Sequence, residues 1–273
     1  MKSAFSFLPR GFGGLLDYIS PSAFEVIDWK SALKKSGSIC KELIFETSVK
    51  RLKEQFSESL PLGTVFGSGR TSGAQDSRQH DAGASQTERQ ISSNGVIQSP
   101  GQRILEIYFL QLFCCKEVFL DLRKDRFSAD QNGGIVWNPN GLWYKFSDVF
   151  LSGIQELYAG FYTNSEESLQ KGLFQLGLCA DHMSTEARAE LRELLFRHFG
   201  EGKSAPMKFQ VSHFMSSFDN LFMFLKKHKL KLSEDFLFLG IYILTLYLHL
   251  ETLGEAFDVC RAYQTGIEKG VAK

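Results

Sequence analysis

Apolar residues recur at helical spacing along most of the chain, and this pattern predicts a mainly α-helical protein. Residues 39–56 carry apolar side chains every three or four positions, with Lys and Glu between them. Residues 103–122 are apolar nearly all round, which predicts a buried central helix. Further helices are predicted over residues 148–163, 164–177, 185–199, 207–228, 233–253 and 255–267. Ser184, Gly200 and Gly254 are typical start and stop residues at three of these bounds.

One segment has a different pattern. Residues 135–146 read IVWNPNGLWYKF, in which two short runs of β-forming residues flank the turn sequence NPNG. Such a pattern predicts a β-hairpin. The predicted fold class is therefore mainly α with one small β-hairpin.

Composition divides the chain into four parts. Residues 57–102 are rich in Ser, Gly and Gln and hold few large apolar residues, so they cannot bury enough surface to offset the entropy of ordering. We predict that they form a flexible insertion. An N-terminal arm (1–23) and a helical part (24–56) precede it, and a helical core (103–273) follows it.

Composition and charge exclude several classes of protein. With 43% hydrophobic residues, and 31 Lys and Arg against 31 Asp and Glu, the chain has the composition of a folded protein without net charge. This balance gives no support for nucleic-acid binding by bulk electrostatics. The five cysteines form no CxxC pair and no zinc-type spacing, which predicts buried thiols, a reducing compartment and no metal. They are Cys40, Cys114, Cys115, Cys179 and Cys260.

Three segments bear on membrane contact. Residues 236–250 are almost continuously apolar but shorter than the roughly 20 residues that span a bilayer, so a buried helix is predicted. The first 20 residues, with Lys2 and Arg10, form either a docking arm or a weak organelle-targeting segment. The basic run KKHKLK (226–231) is typical of a solvated helix end, and its alternative is a contact with anionic lipid.

The order of elements indicates candidate chemistry. A long buried helix is followed by the loop FSADQNGG (127–134), the hairpin and then the sequence FSD, which ends at Asp148. Protein-kinase C-lobes use the same order of helix, catalytic loop, hairpin and metal-binding aspartate. Asp130 and Asp148 are therefore the candidate catalytic carboxylates. The alternative for Asp130 is a loop residue that caps a turn.

On these residues the chain resembles the UbiB/AarF family of atypical protein-kinase-like proteins. FSADQNGGI (127–135) is similar to the family's loop pattern FHADPHPGN, and KELIFETSV (41–49) is similar to its ELDF-x-x-EA helix. The segments NSEE and QLGL (164–178) and the apolar tail that ends in LGEAFDV are similar to the family's later helices. The resemblance covers roughly residues 24–258 and implies a kinase-like C-lobe.

Departures from the family pattern argue against catalysis. Ser128 replaces the loop His, Ile135 replaces a metal-binding Asn, and Ile44 replaces the Asp of the upstream motif. Only residues 1–41 precede Glu42, too few for a kinase N-lobe, and no nucleotide-binding lysine strand is found. An isoleucine offers no oxygen to a hard cation, so we expect no cofactor and only vestigial roles for the two aspartates.

The resemblance therefore implies a catalytically degenerate pseudokinase that serves as a binding or scaffold module. Family members are linked to isoprenoid-quinone and lipid metabolism at bacterial, mitochondrial or chloroplast membranes. By resemblance, we expect a protein partner over the face left by the missing N-lobe, a lipid or quinone as a further ligand, and peripheral membrane contact. The alternative is a structural subunit of a larger organellar membrane complex without nucleotide chemistry, and an active small kinase is disfavoured.

Overall fold

The computed structural model describes residues 13–35, except 19 and 33, and residues 99–271, except 130–134 and 138–141. The described chain is mainly helical. The predicted helix over residues 39–56 and the predicted insertion lie outside the described residues.

The helices, numbered here in chain order, follow a short 3-10 helix at Gly13–Tyr18. They are α1 Ala23–Val26, α2 Pro100–Cys114, α3 Asp148–Thr163, α4 Glu166–Gln175, α5 Thr185–Phe199, α6 Glu201–Ser204, α7 Val211–Lys227, α8 Asp235–Leu253 and α9 Val259–Val271. The strands are β1 Val118–Phe119, β2 Phe127–Ala129, β3 Ile135–Trp137, β4 Trp143–Tyr144, β5 Met207–Lys208 and β6 Ala256–Phe257.

Helix α2 is central, as predicted, but it ends eight residues early. Ser99 caps its start by accepting a hydrogen bond from the Gln102 amide at 3.3 Å. At its end Cys115 is extended (φ −104°, ψ 140°), and the chain enters strand β1. The buried Gln111 stabilises this exit, because its Oε1 accepts from the Phe119 amide at 2.7 Å. The apolar run thus spans two elements, and a buried strand and a buried helix have the same apolar pattern.

The predicted hairpin has different partners in the structure. The IVW run forms β3 and pairs antiparallel with β2, with Ser128 opposite Val136. The following run forms β4 and pairs antiparallel with β1, with Phe119 opposite Trp143. The prediction that these two runs pair with each other is wrong. Strands β2 and β3 thus pair with each other, and β1 and β4, which flank them in the sequence, form the second pair.

Helices α3 and α4 pack closely against each other, and glycines permit this contact. A Cβ atom on Gly160 would lie 2.3 Å from the Leu169 amide nitrogen, and one on Gly172 would lie 2.5 Å from the Leu157 amide nitrogen. Both distances are shorter than a van der Waals contact with fixed backbone. The α3 bounds agree with the prediction, whereas α4 starts at Glu166 because Ser165 is its N-cap.

We expect Gly172→Ala to lower the free energy of unfolding by about 1–3 kcal/mol, because the added methyl group meets backbone that cannot move locally. Gly240→Ala is the matched control: Gly240 also lies inside a helix, but its Cβ would meet nothing within 4 Å. Gly240→Ala should stabilise the protein by up to about 1 kcal/mol through helix propensity. Urea denaturation measures both, and equal effects would contradict the proposed close packing.

Helix α8 lies in the middle of the core, as its uniformly apolar sequence predicts. It is the one described helix that is long and apolar enough to cross a membrane, and 72% of its apolar window is buried inside the protein. Tyr242 and Leu250 are fully buried, and Tyr242 stacks on Tyr108 of α2 with 4.8 Å between ring centroids. The burial agrees with the predicted buried helix over residues 236–250.

The C-terminal third departs from the prediction at two helix starts. Residues 207 and 208 form β5 and pair with β6, so α7 begins at Val211 and α9 begins at Val259. The phenylalanines at residues 209, 214, 218, 222 and 224 are predicted to lie in the core. Phe209, Phe214, Phe222 and Phe224 are buried there, and Phe218 is partly buried against it.

The basic run at the end of α7 makes specific contacts within the chain. Lys226 pairs with Glu25 at 2.7 Å, Lys227 pairs with Glu190 at 2.9 Å, and Lys231 donates to the Glu25 carbonyl oxygen. Exposed pairs of this kind contribute little to stability. They do, however, favour the interpretation of the run as a solvated helix end over that of a lipid contact.

Candidate functional site

Of the two carboxylates predicted from the sequence, Asp148 lies among the described residues. Asp148 is the first residue of α3, behind the N-cap Ser147, whose hydroxyl accepts from the Phe150 amide at 3.3 Å. Its side chain is exposed, and its negative charge lies at the positive end of the helix dipole. Asp130 lies outside the described residues. The structure therefore does not bring the pair together within its described part.

A buried carboxylate that the sequence reasoning missed bonds to Ser147, the residue before Asp148. Asp235, at the start of α8, has a side chain only 2% exposed. Its Oδ1 accepts from the Tyr144 hydroxyl at 2.5 Å, and its Oδ2 accepts from the Ser147 hydroxyl at 2.6 Å and the Ser147 amide at 3.2 Å. These hydrogen bonds from Tyr144 and Ser147 to Asp235 thus hold the chain between β4 and α3, just before Asp148.

Lysine from the N-terminal segment completes this cluster. Lys35 Nζ lies 2.8 Å from Asp235 Oδ1 and 4.7 Å from the centroid of the Tyr144 ring. Burial by itself would raise the pKa of Asp235, but hydrogen bonds from Lys35, Ser147 and Tyr144 together hold it below its usual value. The same burial and the neighbouring carboxylate raise the pKa of Tyr144 far above its usual value. The tyrosine therefore remains a hydrogen-bond donor at all physiological pH values.

A second missed carboxylate lies in the loop after β1. Asp121 is 1% exposed and forms a two-point ion pair with Arg123, with Nε–Oδ1 and Nη2–Oδ2 distances of 2.7 Å each. The hydrogen bond to Asp121 raises the pKa of Arg123, against the opposing effect of burial. Both carboxylate oxygens therefore accept from the same guanidinium group, a strong and directional arrangement.

Helix α8 holds the backbone on both sides of Asp121. The Thr245 hydroxyl lies 2.6 Å from the Leu120 carbonyl oxygen and accepts from the Leu122 amide at 3.2 Å. His249 Nδ1 donates to the Leu122 carbonyl oxygen at 2.6 Å. Burial lowers the pKa of His249, and the Leu122 carbonyl opposes that shift. A polar Thr and His within an otherwise apolar helix were the sequence signal for this contact.

A third site is an apolar cavity that the sequence reasoning did not anticipate. It lies among α3, α5, α7 and α8, and its polar lining groups include His198 and Ser217. His198 Nδ1 and Ser217 Oγ are 2.7 Å apart, and the serine hydroxyl also donates to the Phe214 carbonyl oxygen at 3.0 Å. The serine proton is therefore engaged, so His198 donates from Nδ1.

The electrostatics of His198 exclude it as an effective general base. Burial, with a smaller contribution from the nearby His213, lowers its pKa to about 3. A base with so low a pKa has little driving force to remove a serine proton near neutral pH. The His198–Ser217 pair is consequently a fixed polar group in an apolar wall rather than a nucleophile and base.

Metal binding finds no support in the described part of the chain, where no three His, Cys, Asp or Glu side chains are placed to hold an ion. The described part of the chain holds instead a buried hydrogen-bonded network at Ser147 and an apolar cavity lined by the His198–Ser217 pair. No known protein family model matches this chain, and comparison with curated proteins finds no match.

Proposed function

We propose that this protein is a catalytically degenerate, kinase-like protein of UbiB/AarF type that acts as a binding or scaffold module. Support comes from the order of elements: a buried helix, a loop, short strands and then an aspartate that opens a further helix. A kinase C-lobe needs this order to bring two carboxylates to one cleft. An association with lipid or quinone metabolism at a membrane is part of the proposal and rests on the sequence resemblance.

The observation that carries the proposal is the state of Asp121. A kinase loop aspartate must be free to accept the proton of the substrate hydroxyl. When the kinase loop pattern is aligned on Asp121 and Leu122, that loop aspartate is Asp121, which instead gives both carboxylate oxygens to Arg123. Asp121 is 1% exposed, so moving the Arg123 guanidinium group away would leave a buried charge without its partner. That step would cost more free energy than breaking an exposed ion pair.

The loop has a second feature that argues against metal-assisted chemistry. In the kinase pattern H-R-D-L-x-x-x-N, the asparagine binds a metal ion. Asp121 and Leu122 fit the D-L pair, and Arg126 then stands where the asparagine would be. A cationic side chain there repels a metal ion. In the alternative register, with Asp130 as the loop aspartate, Ile135 takes the metal-binding place, so neither register supplies that ligand.

Titration with Mg-ATP tests this proposal on the full chain. A ligand that binds only the folded state and is present at about one hundred times its Kd stabilises that state by about 2.7 kcal/mol. Our proposal predicts no saturable rise in melting temperature up to millimolar Mg-ATP. A saturable rise that disappears in Asp148→Asn but persists in Asp181→Asn, a control at another exposed aspartate, would overturn it.

A further inference from the structure

A polar contact at the surface joins the segment before α1 to helix α7. The hydroxyl groups of Ser20 and Ser22 both donate to Oδ1 of Asp219, at 2.5 Å and 2.8 Å. The two hydroxyl oxygens are themselves 2.9 Å apart, and we call these three side chains the serine cluster. Hydrogen bonds from Ser20 and then Ser22 lower the pKa of Asp219 below its usual value, so its carboxyl group is ionised at neutral pH.

Backbone hydrogen bonds hold the next part of the same segment. The Leu232 amide donates to the Val26 carbonyl oxygen at 3.0 Å, and the Asp28 amide donates to the Leu232 carbonyl oxygen at 3.1 Å. These bonds do not pass through the serine cluster. The cluster and the 3-10 helix at Gly13–Tyr18 can therefore open locally while residues 26–32 stay in place.

Ser20 has the sequence and the exposure of a site for a proline-directed protein kinase. Pro21 follows it and is exposed, and Ser20 is partly exposed, whereas Ser22 is only 9% exposed. Proline has no amide proton, so a kinase site that offers no acceptor at that position selects Ser-Pro. The dipeptide occurs once more in the chain, at Ser99, whose hydroxyl accepts from the Gln102 amide and caps α2.

We propose that Ser20 is a phosphorylation site and that its modification loosens the N-terminal segment from α7. A separate kinase carries out the reaction. The Ser20 oxygen bonds to the γ-phosphorus of ATP, the bond from that phosphorus to ADP breaks, and the serine proton passes to the kinase's catalytic aspartate. The phosphate brings about −1.5 to −2 charges at pH 7 and removes the proton that Ser20 donated to Asp219. Repulsion between the phosphate and the carboxylate then opens the contact. This site goes beyond the proposed function and does not depend on it.

Opening of the serine cluster uncovers apolar surface. Leu15, in the neighbouring 3-10 helix, is 4% exposed and belongs to the core. Its burial opposes release, so phosphorylation raises the population of the open form and does not unfold the chain. Lys226, two turns further along α7, is a cation that would oppose the repulsion, but it already pairs with Glu25 at 2.7 Å. The phosphorylated chain therefore presents Leu15 to solvent more often.

Hydrogen–deuterium exchange of the full chain tests the site, after treatment with a mitogen-activated, proline-directed kinase and removal of Mg-ATP. Mass spectrometry should locate phosphate on Ser20, and its absence there would overturn the proposal. We expect Gly13–Tyr18 to exchange at least about tenfold faster after phosphorylation, while residues 26–32 keep their rate. Unchanged or slower exchange at Gly13–Tyr18 would equally overturn it, because the phosphate would then have found a cation such as Lys226.

Two variants separate the effect of charge from an effect of structure, each compared with and without phosphate. Asp219→Asn removes the charge that faces the phosphate, so phosphorylation should accelerate exchange at Gly13–Tyr18 far less than in the wild type. Ser20→Ala leaves Ser99 as the Ser-Pro site, where a phosphate lies at the positive end of the α2 dipole and should leave that exchange unchanged. Equal acceleration in Asp219→Asn and the wild type would refute the repulsion, and acceleration in Ser20→Ala would place the effect at another site.

Discussion

Asp235→Ala should lower the free energy of unfolding by about 3–5 kcal/mol, the cost of breaking a buried charge network by removing one partner. The variant leaves the Tyr144 hydroxyl without its acceptor in the core and removes both hydrogen bonds that hold Ser147. It also leaves the Lys35 ammonium without its closest carboxylate. The effect combines loss of the ion pair with loss of the link between the N-terminal segment, the β4–α3 junction and α8.

Glu234→Ala is the matched control for this prediction. Glu234 is the neighbouring residue and also faces Lys35, but at 3.4 Å and with its side chain 26% exposed. Exposed pairs of this kind are worth at most about 1 kcal/mol. Urea denaturation at pH 7 should therefore separate the two variants by at least about 2 kcal/mol. Equal losses would mean that Asp235 acts only as a surface charge.

The contribution of Asp235 also has a defined acid limit. Its pKa is lowered in the folded protein, so the ionised form is favoured there relative to the unfolded chain. The stabilisation is complete above the unfolded pKa of about 3.9 and is lost as the pH falls from that value through the lower folded pKa. The difference in stability between Asp235→Ala and the wild type should thus become smaller only at strongly acidic pH.

Sequence periodicity was sufficient for the long helices because their signals are local. Ser184 and Gly254 act as cap residues in the structure, as predicted, with Gly254 left-handed at φ 68°. The Ser147 cap and the α3 bounds follow from the same local rules. Strand partners are different, since pairing depends on residues far apart in the chain. Residues 143–144 pair with β1 rather than with the nearer β3. Neither strand propensity nor the turn sequence indicates this pairing.

The candidate sites were harder to predict for the same reason. Asp148 was predicted from a local motif, whereas Asp235 has its partners 88 to 200 residues away in sequence. Asp121 carried a weak local signal, an acidic residue between buried apolar neighbours with Arg two positions later. The cavity had none, because it forms where four helices meet. A polar residue within an apolar run, such as Thr245 or His249, was the most useful signal the sequence held.

The second prediction with a large effect concerns pH and His198. In the unfolded chain a histidine binds a proton near pH 6.5, but in the folded protein burial lowers the pKa of His198 to about 3. As the pH falls below 6.5, His198 becomes protonated in the unfolded state but stays neutral in the folded state. Stability therefore decreases by about 1.4 kcal/mol per pH unit from this residue alone, or about 2–3 kcal/mol between pH 6.5 and 4.5.

His198→Asn isolates this effect, because its amide nitrogen replaces Nδ1 as the donor to Ser217 and does not titrate. The smaller side chain should reduce stability at every pH by a similar amount, so the diagnostic quantity is the slope between pH 6.5 and 4.5. We expect that slope to fall by about 1.4 kcal/mol per pH unit relative to the wild type. The control His182→Asn, at an exposed histidine, should keep the wild-type slope. Parallel curves for His198→Asn and the wild type would mean that His198 takes up its proton in the folded state, and the neutral cavity wall would have to be abandoned with it.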